Sequence, residues 1–165
     1  MKVKIKKLKD CTILPCYSSK DAAGLDLTAN DMEIDYDNNI ITYKTDLAFE
    51  IPNGYVGLVF PRSSVYKKNL DLCNSVGVID SDYRGNILFK FRYIGRKPNF
   101  IDKLKTLFSV MPFEYENIYH VGDRIGQIII MKYPKIELDV VDELSDTERG
   151  NGGFGSTDKQ WFPLQ

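Results

Sequence analysis

Ten residues in the middle of the chain, Gly77-Val78-Ile79-Asp80-Ser81-Asp82-Tyr83-Arg84-Gly85-Asn86, put two carboxylates and an aromatic ring on a tight turn between apolar stretches. A carboxylate so placed can take a proton from water, and the nearby ring can gate a sugar. A later run, Arg149-Gly150-Asn151-Gly152-Gly153-Phe154-Gly155-Ser156-Thr157, adds a guanidinium, hydroxyls, backbone N–H groups and one stacking ring. Together they describe a nucleotide site built without a Walker loop.

Composition narrows the chemistry. The only histidine is His120, ahead of Val121-Gly122-Asp123, so a multi-histidine metal site is excluded and a Ser-His-Asp triad would have to use this residue. A surface or loop histidine is the simpler reading. A hydrolase made from this chain takes its base from a carboxylate, and its metal as oxygen-ligated magnesium held largely by phosphates and water. Cys11, Cys16 and Cys73 are an odd set without Cys-x-x-Cys spacing, which fits free thiols in a reducing compartment. With 22 basic and 23 acidic residues the net charge is −1, so nothing here calls for direct nucleic-acid binding. The N-terminus runs straight into alternating charge and no apolar run approaches membrane-spanning length. The expectation is an intracellular, cytoplasmic protein, in the host cell if the source is viral, without a membrane partner.

The elements that must position these residues are strands. Val3 and Ile5 alternate with Lys2, Lys4 and Lys6, the pattern of an edge or half-exposed first strand. Residues 40–43, 47–51, 55–60, 87–93 and 125–131 read as further strands, with Pro52-Asn53-Gly54 as a turn. Many short strands in 165 residues imply a single all-β domain, a sandwich, jelly roll or barrel. Phe100, Ile101, Leu104, Leu107, Phe108 and Met111 instead recur at three- and four-residue spacing, which predicts a short amphipathic helix at 100–111 within an insert at about 96–118. It packs on its own barrel or a neighbouring subunit, or docks a partner. Four glycines in the six residues 150–155 are too costly in entropy to order unaided, which leaves a disordered terminus or an arm that orders over an anionic, ring-containing ligand.

Five segments in order resemble the five motifs of the homotrimeric dUTP pyrophosphatase (dUTPase) family: Ala23-Gly24-Leu25-Asp26-Leu27-Thr28-Ala29, Pro61-Arg62-Ser63-Ser64, Asn74 to Gly85, Gly122-Asp123-Arg124-Ile125-Gly126-Gln127-Ile128, and the glycine-rich arm. The resemblance implies a jelly-roll-like β-barrel or sandwich at 1–145, followed by a flexible arm at 146–165. It also implies Mg-assisted hydrolysis of dUTP to dUMP and pyrophosphate, which limits uracil in DNA and supplies dUMP for dTMP synthesis.

The resemblance further assigns roles. Asp80 would activate the water that attacks the α-phosphorus. Asn74 and the backbone of Gly77, Val78 and Ile79 would read uracil, and Tyr83 would pack under the deoxyribose and exclude a 2′-hydroxyl. Arg62, Ser63, Ser64 and Gln127 would grip the phosphates. Phe154 of the closing arm would stack on uracil while Arg149, Gly153, Ser156 and Thr157 meet the phosphate chain. Asp26 would hold waters on Mg2+. Each site would draw on three subunits of an obligate homotrimer.

Three departures stand out: Asp158 where the family commonly has glycine, Gly126 where it usually has alanine, and a segment between Gly85 and Gly122 longer than usual by about the size of the expected helix. Three rival readings remain. A dCTP deaminase shares the fold, but Lys90 stands where its catalytic glutamate would. A nucleotide-gated regulator acting through the insert fits as an added role. A purely structural trimer would leave the arginine-flanked arm without a reason.

Overall fold

The computed structural model describes residues 1–95 and 117–154. The helix expected at 100–111 and Ser156, Thr157 and Asp158 of the arm lie outside the described residues. The chain divides into two compact units, residues 1–134 and 135–165.

Among its described residues the first unit is built of antiparallel strands, as the expected all-β class requires. Its strands are β1 (Lys4–Lys7), β2 (Cys16–Tyr17), β3 (Leu25–Thr28), β4 (Asp31–Asp35), β5 (Ile40–Lys44), β6 (Leu47–Glu50), β7 (Tyr55–Pro61), β8 (Leu70–Leu72), β9 (Gly77–Ile79), β10 (Leu88–Tyr93) and β11 (Arg124–Lys132), with one 3-10 helix at Ser63–Lys67. They form a five-stranded sheet β2-β3-β11-β7-β9, a four-stranded sheet β4-β5-β10-β8 and the ribbon β1-β6. None of the sheets closes on itself, so the jelly-roll-like fold is an open sandwich rather than a closed barrel.

Period-two patterning explains the layers. On β10, Phe89, Phe91 and Tyr93 are buried while Leu88, Lys90 and Arg92 are exposed. Those inward side chains join Ile41 and Tyr43 of β5, Leu70 and Leu72 of β8, and Leu27, Val59, Ile125 and Ile128 of the five-stranded sheet in one buried cluster. Tyr43 and Phe91 meet edge to face at 5.8 Å, a favoured aromatic geometry. The Tyr43 hydroxyl donates to the Tyr119 carbonyl at 2.9 Å, and burial pushes the phenol pKa well above its ordinary value. This bond ties the segment leading into β11 to the core.

β1, expected to be an edge or half-exposed strand, is exposed along its length and among the described residues pairs only with β6. β4 was not foreseen: its acids Asp31, Glu33 and Asp35 mask the Met32/Ile34 alternation, and the ladder to β5 supplies what propensity does not.

Two irregularities matter for the site. At the turn after β5, Asp46 takes φ 52° and is 3% exposed. Burial pushes its pKa up, but hydrogen bonds from Asn30, Lys9 and Asn86 outweigh that and leave it below the ordinary carboxylate value. On β11 the register to β3 slips between Arg124 and Gly126, so Arg124 faces Thr28 and Gly126 faces Leu27. This bulge at Ile125 turns Arg124 onto the face that carries Asp26, Thr28 and Gln127; an unbroken ladder would point it to the other face.

Candidate active site

The residues singled out from the sequence fall into three groups. The first gathers where β3, β7 and β11 run side by side. Gln127 lies between Asp26 of β3 and Phe60 of β7 in the ladder. Its amide donates to the Pro61 carbonyl at 3.5 Å, the far limit of a hydrogen bond. Gly24 makes room for it, since a Cβ there would strike the Gln127 side-chain oxygen.

Asp26 is only 6% exposed, and a lone carboxylate buried that far would be costly. It is held by two arginines: Oδ1 meets Arg62 Nε at 3.1 Å and Oδ2 meets Arg124 Nη1 at 3.0 Å. Arg62 leaves β7 in extended conformation (φ −79°, ψ 156°), and the chain turns at once into the 3-10 helix that carries Ser63 and Ser64. Ser64 Oγ lies 3.3 Å from the Tyr119 hydroxyl. Arg62, Ser64, Lys68, Tyr119, Gly122, Asp123 and Arg124 line a cleft of about 240 Å³. Lys68 is fixed there by donating to the Ile118 carbonyl at 2.8 Å, with its ammonium 5.0 Å over the Tyr119 ring. Asp123 closes the turn before β11, its Oδ2 accepting from the His120 backbone N–H at 2.8 Å. A cleft with three cations suits a polyphosphate. Arg124 and Lys68 are the members that sequence reasoning missed; the signal for Arg124 was a buried acid needing a second counter-ion, visible only once the bulge is known.

The second group is the hairpin from β9 to β10. Gly77 is buried against Val59, whose methyl would collide with any Cβ there, and the Asn74 amide nitrogen would lie 3.3 Å from that Cβ. Ser75 sits at φ 57° and the Val76 N–H donates to the Asn74 carbonyl at 2.5 Å, so Asn74 opens a tight turn. Val78 is 62% exposed, leaving a strand surface open to a planar ligand. Asp80 is exposed just beyond β9 and begins a turn closed by the Tyr83 N–H donating to its carbonyl at 3.1 Å. The Tyr83 ring lies over Gly85, where a Cβ would run into the phenol oxygen, and its hydroxyl donates to the Asn86 carbonyl at 3.1 Å. The Asn86 side chain in turn donates to Asp46 Oδ1 at 2.9 Å. A relay from the buried Asp46 through Asn86 therefore fixes Tyr83.

The two groups are not adjacent within the chain. β7 pairs with β9 through Val59↔Gly77, Leu58↔Val78 and Gly57↔Ile79. Asp80 follows Ile79 and so leaves near the start of β7, whereas Arg62 follows its last residue. At about 3.3 Å per residue the separation is roughly 15–20 Å, longer than a triphosphate chain.

The third group belongs to the second unit. Arg149 Nε donates to the Gly152 carbonyl at 2.9 Å within a turn where Gly150 adopts φ 53°. Gly153 follows that turn, and Phe154 at φ 48° is fully exposed, its ring free of packing.

Among the described residues no group of three or more His, Cys, Asp or Glu side chains could hold a metal ion. Asp26 is a single carboxylate beside a cationic cleft. That donor set fits a metal carried on phosphates and reached through water, and does not fit a protein cage.

Comparison with known proteins places the chain. Residues 10–158 match the family model described as dUTPase. A deoxyuridine 5'-triphosphate nucleotidohydrolase of Nautilia profundicola is 39% identical over 96% of this chain and 100% of its own. The fowlpox virus protein of the same name is 40% identical over 94% of this chain and 96% of its own. Among solved structures, a mutant dUTPase of Staphylococcus bacteriophage 80alpha with dUpNHpp superposes with a TM-score of 0.74 at 28% identity, covering 94% of this chain and 98% of that one. With a family model spanning residues 10–158 and relatives near 40% identity over 94–96% of the chain, the protein belongs to the dUTPase family.

Proposed function

We propose that this protein hydrolyses dUTP to dUMP and pyrophosphate at sites completed only between subunits of a homotrimer. The observation that carries the reading is the separation of Asp80 from the Arg62 cleft along β7. Either group alone is an incomplete site, and the hairpin of one subunit set against the cleft of another supplies all the parts. Exposed apolar side chains also favour assembly: Ile136, Leu138 and Val140 alternate along the second unit at 71%, 86% and 94% exposure.

In this reading Asn74 and the Gly77–Ile79 backbone read the uracil edge. Tyr83, held by Asn86, underlies the deoxyribose and leaves no room for a 2′-hydroxyl. Asp80 accepts a proton from a water molecule as the water oxygen forms a bond to the α-phosphorus. The bond from that phosphorus to the bridging oxygen breaks, and pyrophosphate leaves with the electron pair. Arg62, Ser63, Ser64 and Gln127 stabilise the charge on the departing phosphates. Phe154 stacks on the base while Arg149, Gly153, Ser156 and Thr157 close over the γ-phosphate. A magnesium ion on the phosphates would neutralise their charge, with Asp26 holding its waters. A phage phi11 dUTPase of the same fold is described with a structural Mg(II) ion. Its product would supply dTMP synthesis and its activity would keep uracil out of DNA. No helix among the described residues is long and apolar enough to cross a membrane.

Pyrophosphate release from dUTP, dTTP, dCTP and UTP tests this reading. Turnover of dUTP alone, abolished by Asp80→Asn with the trimer intact, is the expected result. Tight dUTP binding without turnover would overturn it.

A further inference from the structure

The buried carboxylate of Asp26 bridges two arginines. Its two oxygens are divided between two arginines that arrive from different strands, one at the end of β7 and one at the bulge of β11. Arg62 meets Asp26 through Nε and Arg124 through Nη1, and a guanidinium carries five N–H donors in all. Both arginine side chains are partly exposed, 33% and 45%, and both line the cleft. With Lys68 they set three cations against Asp26 and Asp123, a formal excess of one positive charge.

We propose that Asp26 is a positioning residue that holds Arg62 and Arg124 as a paired guanidinium clamp, and that Arg124 is the second arginine of this cleft to contact the phosphate chain. The proposal rests on the dUTPase reading for the identity of its ligand but not for its geometry. Long arginine side chains lose conformational freedom on binding; a buried acid that has already fixed them removes part of that loss from the binding step. The bulge at Ile125 is required, because only that slip brings Arg124 onto the Asp26 face.

The sign of one effect separates this from simple electrostatics. Deleting the Asp26 charge makes the cleft more positive, so arginines that need no positioning would bind phosphates more tightly after Asp26→Asn. A positioned clamp binds them more weakly. The experiment is calorimetric titration of wild type, Asp26→Asn, Arg124→Gln and the double variant with dUpNHpp, dUMP and inorganic tripolyphosphate, all in EDTA. The expected result is a loss of about tenfold or more for dUpNHpp and tripolyphosphate in each single variant. dUMP affinity stays within about twofold, and the double variant is little worse than either single one because the two act through one clamp. Equal or tighter triphosphate binding by Asp26→Asn, or unchanged binding by Arg124→Gln, overturns the proposal. Should Asp26→Asn fail to fold, Arg124→Gln decides alone, with a shallower salt dependence of tripolyphosphate binding as its second readout. Failure of wild type to turn over dUTP would sink the dUTPase reading, while the tripolyphosphate arm would still judge the clamp.

Discussion

Asp80 and Arg62 lie beyond opposite ends of the β7–β9 pairing, Asp80 after Ile79 opposite Gly57 and Arg62 past the Val59 end that pairs with Gly77. No side-chain rotation brings them together, because both are fixed to the same rigid ladder. On the proposed reading, the chemistry depends on how copies of the chain meet.

Tyr83 is the element from which sugar discrimination is expected. Replacing it with alanine should raise UTP turnover relative to dUTP by one to two orders of magnitude, about what loss of a steric contact permits. Tyr83→Phe should keep most of the discrimination, since on the proposed reading the ring excludes the hydroxyl and the bond to Asn86 only steadies the ring. Gly85→Ala should mimic the alanine variant by displacing the ring. Relative kcat/KM for the two nucleotides checks all three.

Gly126 departs from the alanine common in the family, and the packing shows why alanine does not fit here. A Cβ at this position would enter the Phe89 ring and lie 2.8 Å from the Phe60 carbonyl oxygen. Gly126→Ala should cost about 1–3 kcal/mol of stability through overpacking. Phe89→Leu in the same chain should recover part of that loss, a coupling that denaturant unfolding of the four variants measures.

Asp46 sets an acid limit. Its folded pKa lies below the ordinary value, so the stability it contributes is fully present above the unfolded carboxylate pKa of about 3.9 and is lost as pH falls through the folded value. Asp46→Asn should flatten the dependence of unfolding midpoint on pH in that acid range. Because Asp46 also anchors Asn86 and hence Tyr83, the same variant should raise KM for dUTP at neutral pH while leaving Arg62-cleft binding of tripolyphosphate unchanged.

Much of the fold was readable from alternation alone. The strands at Ile40–Lys44, Leu47–Glu50, Tyr55–Pro61, Leu88–Tyr93 and Arg124–Lys132 all carry enough β-branched and aromatic residues at period two to declare themselves. β2 and β9 are too short to show a period, and β4 hides its pattern among acids. The hairpin and the Arg62 segment stood out because their polar residues are contiguous in sequence. Pairings across long separations did not: Phe89 against Gly126, Asp46 with Asn86, and Arg124 with Asp26 depend on ladder register and on one bulge, which no local window contains.

The composite site is tested most directly by mixing two inactive subunits. Asp80→Asn and Arg62→Ala homotrimers should each be inactive, one lacking the base and the other the phosphate grip. Co-refolded at equal ratio, random reassortment places one intact site in each mixed trimer, which predicts recovery of roughly a quarter of wild-type dUTP hydrolysis. No recovery, with mixed trimers verified by mass spectrometry, would contradict the account, because both residues would then have to act from the same subunit.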